Sequence, residues 1–179
     1  MINILSILLT ATTAIADSHK SKYYYDEPMH QEKYTNNNQW IINPTIVICK
    51  DMTIFDRKQV RFASSLWTSI DFKISNIVIA EKCDYEHEYG KIKIVDGKHV
   101  SSSLWGYTKY IYRVHKTFDG KEYKVYKSAV IQLEKNVTDL DLLIHELGHA
   151  FGFDHYEGEK DVMNSILDLH DGYLNKFPY

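Results

Sequence analysis

Two short apolar segments separated by one amphipathic segment limit the folds open to this chain. PTIVICK (44–50) and ISNIVIA (74–80) are rich in β-branched residues and have the length of buried strands. Between them, residues 55–72 carry apolar side chains at helical spacing, and Asp56 stands where a helix N-cap is expected. A strand, a helix and a second strand this close in sequence predict a βαβ unit, with parallel neighbouring strands and a right-handed crossover.

Three later segments complete the predicted sheet. GKIKIVDG (90–97) alternates Ile and Lys in the manner of a short strand. The aromatic-rich runs 104–118 and 121–134 flank Asp119-Gly120, which is typical of a β-hairpin. The fold class predicted is therefore α+β with an α/β-like core. Its five-stranded sheet is mixed, mostly parallel with one antiparallel strand at an edge, and a helix backs it.

The chain has two cysteines, Cys49 at the end of the first strand and Cys83 just past the end of the second. The ends of parallel neighbours fall on the same side of a sheet, so we predict a Cys49–Cys83 disulfide, which suits an exported protein. Two free thiols in a reducing compartment are the alternative. The cysteines do not form a C-x-x-C pair, so neither a redox motif nor a cysteine zinc motif is indicated.

The N-terminal residues 1–16, MINILSILLTATTAIA, carry no charged side chain and end in Ala14-Ile15-Ala16. This pattern predicts a secretory signal peptide cleaved after Ala16, and hence a secreted protein. An uncleaved anchor is the alternative, but the apolar run is shorter than the roughly 20 residues that a spanning helix needs. Residues 17–40 are polar and without period, which predicts a flexible lead-in or a short pro-segment before a single domain at 41–179.

The charge balance limits the partners of this chain. Its formal net charge is −3, so no basic excess exists to neutralise phosphates, and nucleic acid is not expected as the main partner. We expect a monomer with no stable membrane association once the signal peptide is removed.

HELGHAFGFDH (145–155) lies in a segment with apolar residues at helical spacing. Thr138 and Asp141 precede it in the spacing of a capping box, so we predict that Thr138 begins the helix. His145 and His149 are one turn apart on one helix face, and their imidazoles can converge on one ion.

Three further features complete a candidate metal site. Glu146 is next to a ligand and can face a water bound to the ion, where a general base is needed. Gly152 can end the helix with a left-handed backbone, and the resulting turn would bring His155 back as a third nitrogen ligand. Three neutral ligands with one open position are typical of a catalytic zinc site. An isolated H-x-x-x-H pair is usually an ordinary surface feature, but the full spacing found here is far rarer by chance.

HELGHAFGFDH resembles H-E-x-x-H-x-x-G-x-x-H, the long zinc-binding signature of the metzincin metallopeptidases. The resemblance implies a methionine turn after the third histidine, and Asp161-Val162-Met163-Asn164 fits, with Met163 as the apolar floor beneath the metal. It also implies a mixed five-stranded sheet, then the zinc helix, then a C-terminal helix, for which residues 166–177 are the candidate. The chain size and the GYT stretch at 106–108 are most similar to small matrixin-type members.

The resemblance also implies a function, that of a secreted zinc endopeptidase whose catalytic domain is 41–179. One catalytic Zn²⁺ would be held by His145, His149 and His155, and it would activate a water for which Glu146 is the general base. The partner would be a polypeptide substrate, extended along the edge strand at 104–112. Two alternatives stay open: a secreted zinc-binding protein without turnover, and a peptidase of bacterial cell-wall crosslinks.

Overall fold

The computed structural model of the protein describes residues 39–69, 72–97, 105–135, 138–155 and 162–163, and the backbone of residues 8–10. Within these residues one sheet contains seven strands: β1 Leu8–Thr10, β2 Gln39–Trp40, β3 Thr45–Cys49, β4 Asn76–Ala80, β5 Lys91–Asp96, β6 Gly106–Lys116 and β7 Glu122–Leu133. Two helices are described, α1 Arg57–Thr68 and α2 Leu140–Ala150.

The sheet is mixed, and its order is β4-β3-β5-β7-β6-β1, with β2 alongside β7. β3 runs parallel to both β4 and β5, and β5 runs parallel to β7, so the predicted βαβ unit of β3, α1 and β4 is confirmed. β6 and β7 form the predicted antiparallel hairpin around Gly120, whose φ is +82°. The five predicted strands are therefore present, and β1 and β2 are additional.

The sequence predicted that the antiparallel strand lies at an edge of the sheet, but β6 is not an edge strand. β1 pairs with its outer side, antiparallel, in the register Leu8↔Arg113 to Thr10↔Ile111. β1 lies inside the predicted signal peptide, and an apolar, uncharged segment of this kind can pair as a strand as well as serve as a signal. In a chain cleaved after Ala16, β6 would become the edge strand.

β2 extends the sheet to residues that the sequence assigned to the lead-in. Gln39 and Trp40 pair in parallel with Val125 and Tyr126 of β7, and the Ile41 N–H donates to the Tyr126 carbonyl at 3.0 Å. A strand of two residues is too short to show a period in the sequence, so the boundary predicted after residue 40 falls within the sheet. The cleavage position at Ala16, residues 17–38 and the predicted helix at 166–177 lie outside the described residues.

Both helices begin at an aspartate N-cap. The Asp56 carboxylate accepts from the Gln59 N–H at 2.8 Å, and the Gln59 side chain accepts from the Asp56 N–H at 2.9 Å, so the predicted N-cap of α1 is confirmed as part of a capping box. For α2 the prediction was wrong by one residue, because Asp139 rather than Thr138 is the N-cap. Aspartate ranks above threonine at this position, since its carboxylate accepts from two N–H groups of the first turn.

The two faces of the sheet are covered by different layers. The alternating isoleucines of β3 and β5 face α1 and α2 and form the main core with Trp67, Leu143 and Leu147. On the opposite face, a smaller cluster of Val47, Cys49, Val95 and Val130 is covered by Cys83 and Tyr85 of the segment 81–90. The predicted Cys49–Cys83 disulfide is confirmed in this outer layer, with the two Cα atoms 5.6 Å apart. Neither of the two helices that the structure describes is long and apolar enough to cross a membrane.

Candidate metal centre

The helix α2 places His145 and His149 on one face, both buried, with their Nε2 atoms 3.0 Å apart. The Nε2 atom of His155 lies 3.2 Å from that of His149. One ligand atom from each of the three residues lies within 4.8 Å of the others. The structure therefore brings together the three histidines that the sequence singled out.

A tight turn after α2 returns the chain to bring His155 into this group. Gly152, at φ +98°, follows the last helical turn, and its N–H donates to the His149 carbonyl at 2.9 Å. The Phe153 N–H donates to the Gly148 carbonyl at 3.1 Å, which completes a Schellman motif. A Cβ atom at Gly152 would also lie 2.6 Å from Cε2 of Tyr126. Both the backbone angle and the space therefore require glycine where the sequence predicted the helix to end.

Two backbone carbonyls orient the imidazoles of α2. Nδ1 of His145 lies 2.6 Å from the Val162 carbonyl oxygen, and Nδ1 of His149 lies 2.7 Å from the Phe153 carbonyl oxygen. A carbonyl can only accept, so each Nδ1 carries the proton and each Nε2 presents a lone pair. Two lone pairs therefore face each other at 3.0 Å, an arrangement that a cation between them would stabilise.

Burial keeps these imidazoles neutral. It lowers the pKa of His149 to about 4, and burial together with the neighbouring His149 holds the pKa of His145 well below its usual range. Neutral imidazole is the form that binds a metal. A tetrahedral site with metal–nitrogen bonds of about 2.05 Å separates its nitrogens by about 3.3 Å. The two distances from Nε2 of His149, 3.0 and 3.2 Å, are close to this value. The buried group of His145, His149 and His155 can thus hold a metal ion.

Glu146 is fully buried beside these histidines, against the start of β6. Its Oε2 accepts from the Thr108 hydroxyl at 2.7 Å, whereas its Oε1 has no hydrogen-bond partner within the described residues. Burial raises the pKa of Glu146 to about 8, and the Thr108 hydrogen bond opposes that rise. A Cβ atom at Gly106 would lie 3.0 Å from Oε1, so the glycine leaves that oxygen room.

The sequence did not predict Thr108 or Gly106 as residues of the site. The two residues are separated by two positions on β6 and so lie on the same face of that strand. Strand alternation shows that they share a face, but only the packing of α2 against β6 shows that this face meets Glu146.

Met163 lies against α2 and is fully buried. A Cβ atom at Gly148 would collide with the Met163 sulfur and lie 2.6 Å from Cζ2 of Trp67, so the helix approaches both side chains closely. The preceding residue, Val162, supplies the carbonyl that orients His145. Met163 therefore packs against the histidine helix at Gly148, and its predicted role as the floor beneath a metal stays a prediction. Asp161, Asn164 and residues 156–160 are outside the described part of the chain.

Comparisons of this chain with protein-family models, with curated proteins and with solved structures found no match.

Proposed function

We propose that this protein is a secreted zinc endopeptidase of the metzincin type, which hydrolyses peptide bonds of polypeptide substrates. One observation carries the proposal: three imidazole nitrogens converge beside Glu146, whose fully buried Oε1 has no partner among the described residues. A buried carboxylate oxygen without a hydrogen bond is costly to keep. A site that only bound a metal would not need it, whereas hydrolysis needs a base at this position.

Zinc is the ion that best fits this donor set. Three histidine nitrogens and an open position are a known arrangement of catalytic zinc, and the spacing suits tetrahedral bonds. Bound there, zinc would supply Lewis acidity toward the scissile carbonyl and the attacking water.

Residues around the site would orient the ligands and the proposed base. The Val162 and Phe153 carbonyls hold the imidazoles of His145 and His149 in orientation and increase their basicity as ligands. Burial raises the pKa of Glu146, but the positive charge of a bound zinc would favour its ionised form. The Thr108 hydroxyl occupies Oε2, so Oε1 of the carboxylate is left to accept the proton of the attacking water. Glu146 would then deliver this proton to the nitrogen of the leaving amine.

The substrate would lie extended along the outer side of β6. Backbone pairing at an exposed strand is a common mode of peptide recognition. β1 pairs with residues 111–113, and the start of β6 at Gly106 and Thr108 contacts Glu146. A peptide paired with the first half of β6 would therefore run next to the proposed base.

The test is cleavage of a mixed peptide library by the zinc-loaded protein, with and without a chelator. The library includes crosslinked cell-wall peptides, so that the two peptidase hypotheses can be distinguished. We expect cleavage of ordinary polypeptides that the chelator abolishes and that added zinc restores. A protein that binds one zinc but cleaves nothing would support the alternative of zinc binding without turnover.

The matched variants are Glu146→Gln and Glu81→Gln. Glu146→Gln should still bind one zinc ion but lose about a hundredfold or more in kcat, because the base is gone. Glu81 forms an exposed ion pair with Lys50, so Glu81→Gln should cleave at the wild-type rate. If Glu146→Gln cleaves as fast as the wild type, the role assigned to Glu146 is wrong.

A further inference from the structure

Trp40 contacts the histidine helix from the segment that precedes the predicted domain. Its indole Nε1–H donates to the carbonyl oxygen of Ala150 at 3.1 Å. Ala150 is the last residue of α2, and 110 positions separate the two residues in the sequence. The contact therefore joins β2 to the end of the helix that carries two of the three histidines.

The last four carbonyls of an α-helix have no partner within the helix and must find one elsewhere. In α2, the Leu147, Gly148 and His149 carbonyls accept from the backbone N–H groups of residues 151, 153 and 152 in the following turn. This leaves the Ala150 carbonyl, and the indole of Trp40 is its donor. The end of α2 is thus completed by one side chain from a distant strand.

The turn that this contact adjoins positions two of the proposed metal ligands. The Phe153 carbonyl lies 2.7 Å from Nδ1 of His149 and orients that ring. His155 follows two residues later, with its Nε2 3.2 Å from that of His149. A displacement of the helix end would therefore change the positions of both imidazoles.

Trp40 is itself held in place by the sheet. β2 pairs with β7, and the Trp40 ring stacks on Tyr126 at a centroid distance of 6.3 Å and an interplanar angle of 29°. The Tyr126 ring in turn lies against Gly152. Trp40 and Tyr126 thus hold the turn from two sides, one through a hydrogen bond and the other through contact with the glycine.

We propose that Trp40 is a positioning residue of the metal centre, which acts by completing the C-terminus of α2 and fixing the turn that presents His149 and His155. The inference rests on the proposed function in taking these histidines as zinc ligands. It also limits how the lead-in is processed. Cleavage that removed all of residues 17–40 would remove Trp40, so a cleavage that yields the competent protein must leave Trp40 in place.

The test compares Trp40→Phe with the wild type in the full chain. Phenylalanine keeps an aromatic ring against Tyr126 but has no N–H to donate. We expect zinc affinity, measured by competition with a chromogenic chelator, to fall about tenfold or more. Losses of this size are typical when residues that orient metal ligands are mutated. The absorption bands of the Co²⁺-substituted protein should shift, and the amides of residues 151–153 should exchange hydrogen faster.

Val60→Ala is the matched control, because Val60 is fully buried on α1 and lies outside the site. It should lower the free energy of unfolding but leave zinc affinity, the Co²⁺ bands and exchange at residues 151–153 unchanged. A Trp40→Phe protein with zinc affinity within about twofold of the wild type and unchanged Co²⁺ bands would overturn the inference. If the wild-type protein binds no zinc, the proposed function is overturned. If it binds zinc but cleaves no peptide, the peptidase function fails and the inference on Trp40 stands.

Discussion

Thr108 determines which oxygen of Glu146 is hydrogen-bonded and which one has no partner among the described residues. Its hydroxyl lies 2.7 Å from Oε2 and 3.0 Å from the backbone carbonyl oxygen of the same residue. A hydroxyl has one proton to donate, and the carboxylate is the stronger acceptor of the two. The side chain of Thr108 is fully buried, so water does not replace this bond when the hydroxyl is removed.

Replacing Thr108 with valine should therefore separate catalysis from metal binding. Thr108→Val keeps the shape of the side chain but frees Oε2, so the carboxylate loses its fixed orientation. We expect kcat to fall about tenfold or more while the zinc affinity stays at the wild-type value. Steady-state kinetics and chelator competition measure the two quantities.

Thr45→Val is the control for Thr108→Val, since the Thr45 hydroxyl forms a hydrogen bond with the exposed Ser75 hydroxyl at 2.7 Å, away from Glu146. The control should leave kcat unchanged. Equal kcat values for Thr108→Val and the wild type would show that Glu146 does not depend on this hydrogen bond.

At the scale of the element, the end of α2 can be tested with two glycines of similar backbone angle. Gly152 has φ +98° and Gly120, in the β6–β7 hairpin, has φ +82°. A Cβ atom at Gly152 would meet the Tyr126 ring, whereas one at Gly120 has nothing within 4 Å. Alanine at Gly120 should cost only the backbone strain, about 1–3 kcal/mol.

Gly152→Ala should cost about 1–3 kcal/mol more than Gly120→Ala, because the Tyr126 clash adds to the strain. It should also weaken zinc binding, since the turn carries His155. Urea unfolding and chelator competition on the two variants provide the comparison. Equal losses of stability with unchanged zinc affinity in both would contradict the role given to the turn.

The elements differ in how far the sequence could predict them. Strands β3, β4 and β5, the hairpin and the cap at Asp56 follow from local patterns of burial and turn residues, and the disulfide follows from the parallel pairing of β3 with β4. β2 could not be predicted, because two residues show no period and the strand exists only through its contacts with β7 and α2. The contact of Thr108 with Glu146 also escaped prediction, since it depends on how α2 packs on β6.

For the whole molecule, the two faces of the sheet are covered by different elements. The helices α1 and α2 pack on one face. The segment 81–90 covers the other face and is joined to β3 by the Cys49–Cys83 disulfide. Lys93 of β5 points into this outer layer with its side chain 2% exposed, and its Nζ lies 2.6 Å from both Asp84 and Glu88. A buried ammonium is tolerated only with such partners, so the outer layer depends on two carboxylates remaining ionised.

This dependence predicts an acid sensitivity that originates away from the candidate metal centre. The hydrogen bond to Lys93 lowers the pKa of Asp84, and hydrogen bonds to Lys91 and then Lys93 lower the pKa of Glu88. Burial lowers the pKa of Lys93, but the hydrogen bonds to Asp84 and Glu88 raise it by more than burial lowers it. The pKa of Lys93 is therefore above its ordinary value. Carboxyl groups with a lowered folded-state pKa contribute stability that is complete above their ordinary pKa, near 4, and is lost as the pH falls through the lowered values.

Lys93→Met should therefore reduce the loss of stability between about pH 5 and pH 3, because the carboxylates no longer gain from a buried cation. The pKa of His87, lowered by burial and then by Lys109 and Lys93, should rise in the variant, which reduces the acid dependence further. The free energy of unfolding of the disulfide-bonded chain, measured in urea across this range, tests the prediction. His145 and His149 titrate in both proteins, so the difference between the two slopes isolates the outer layer. Lys50→Met, which removes an exposed ion pair with Glu81, should show the wild-type dependence of the free energy of unfolding on pH. If Lys93→Met shows the same dependence as the wild type, the ion pairs of Lys93 are not the source of the acid sensitivity.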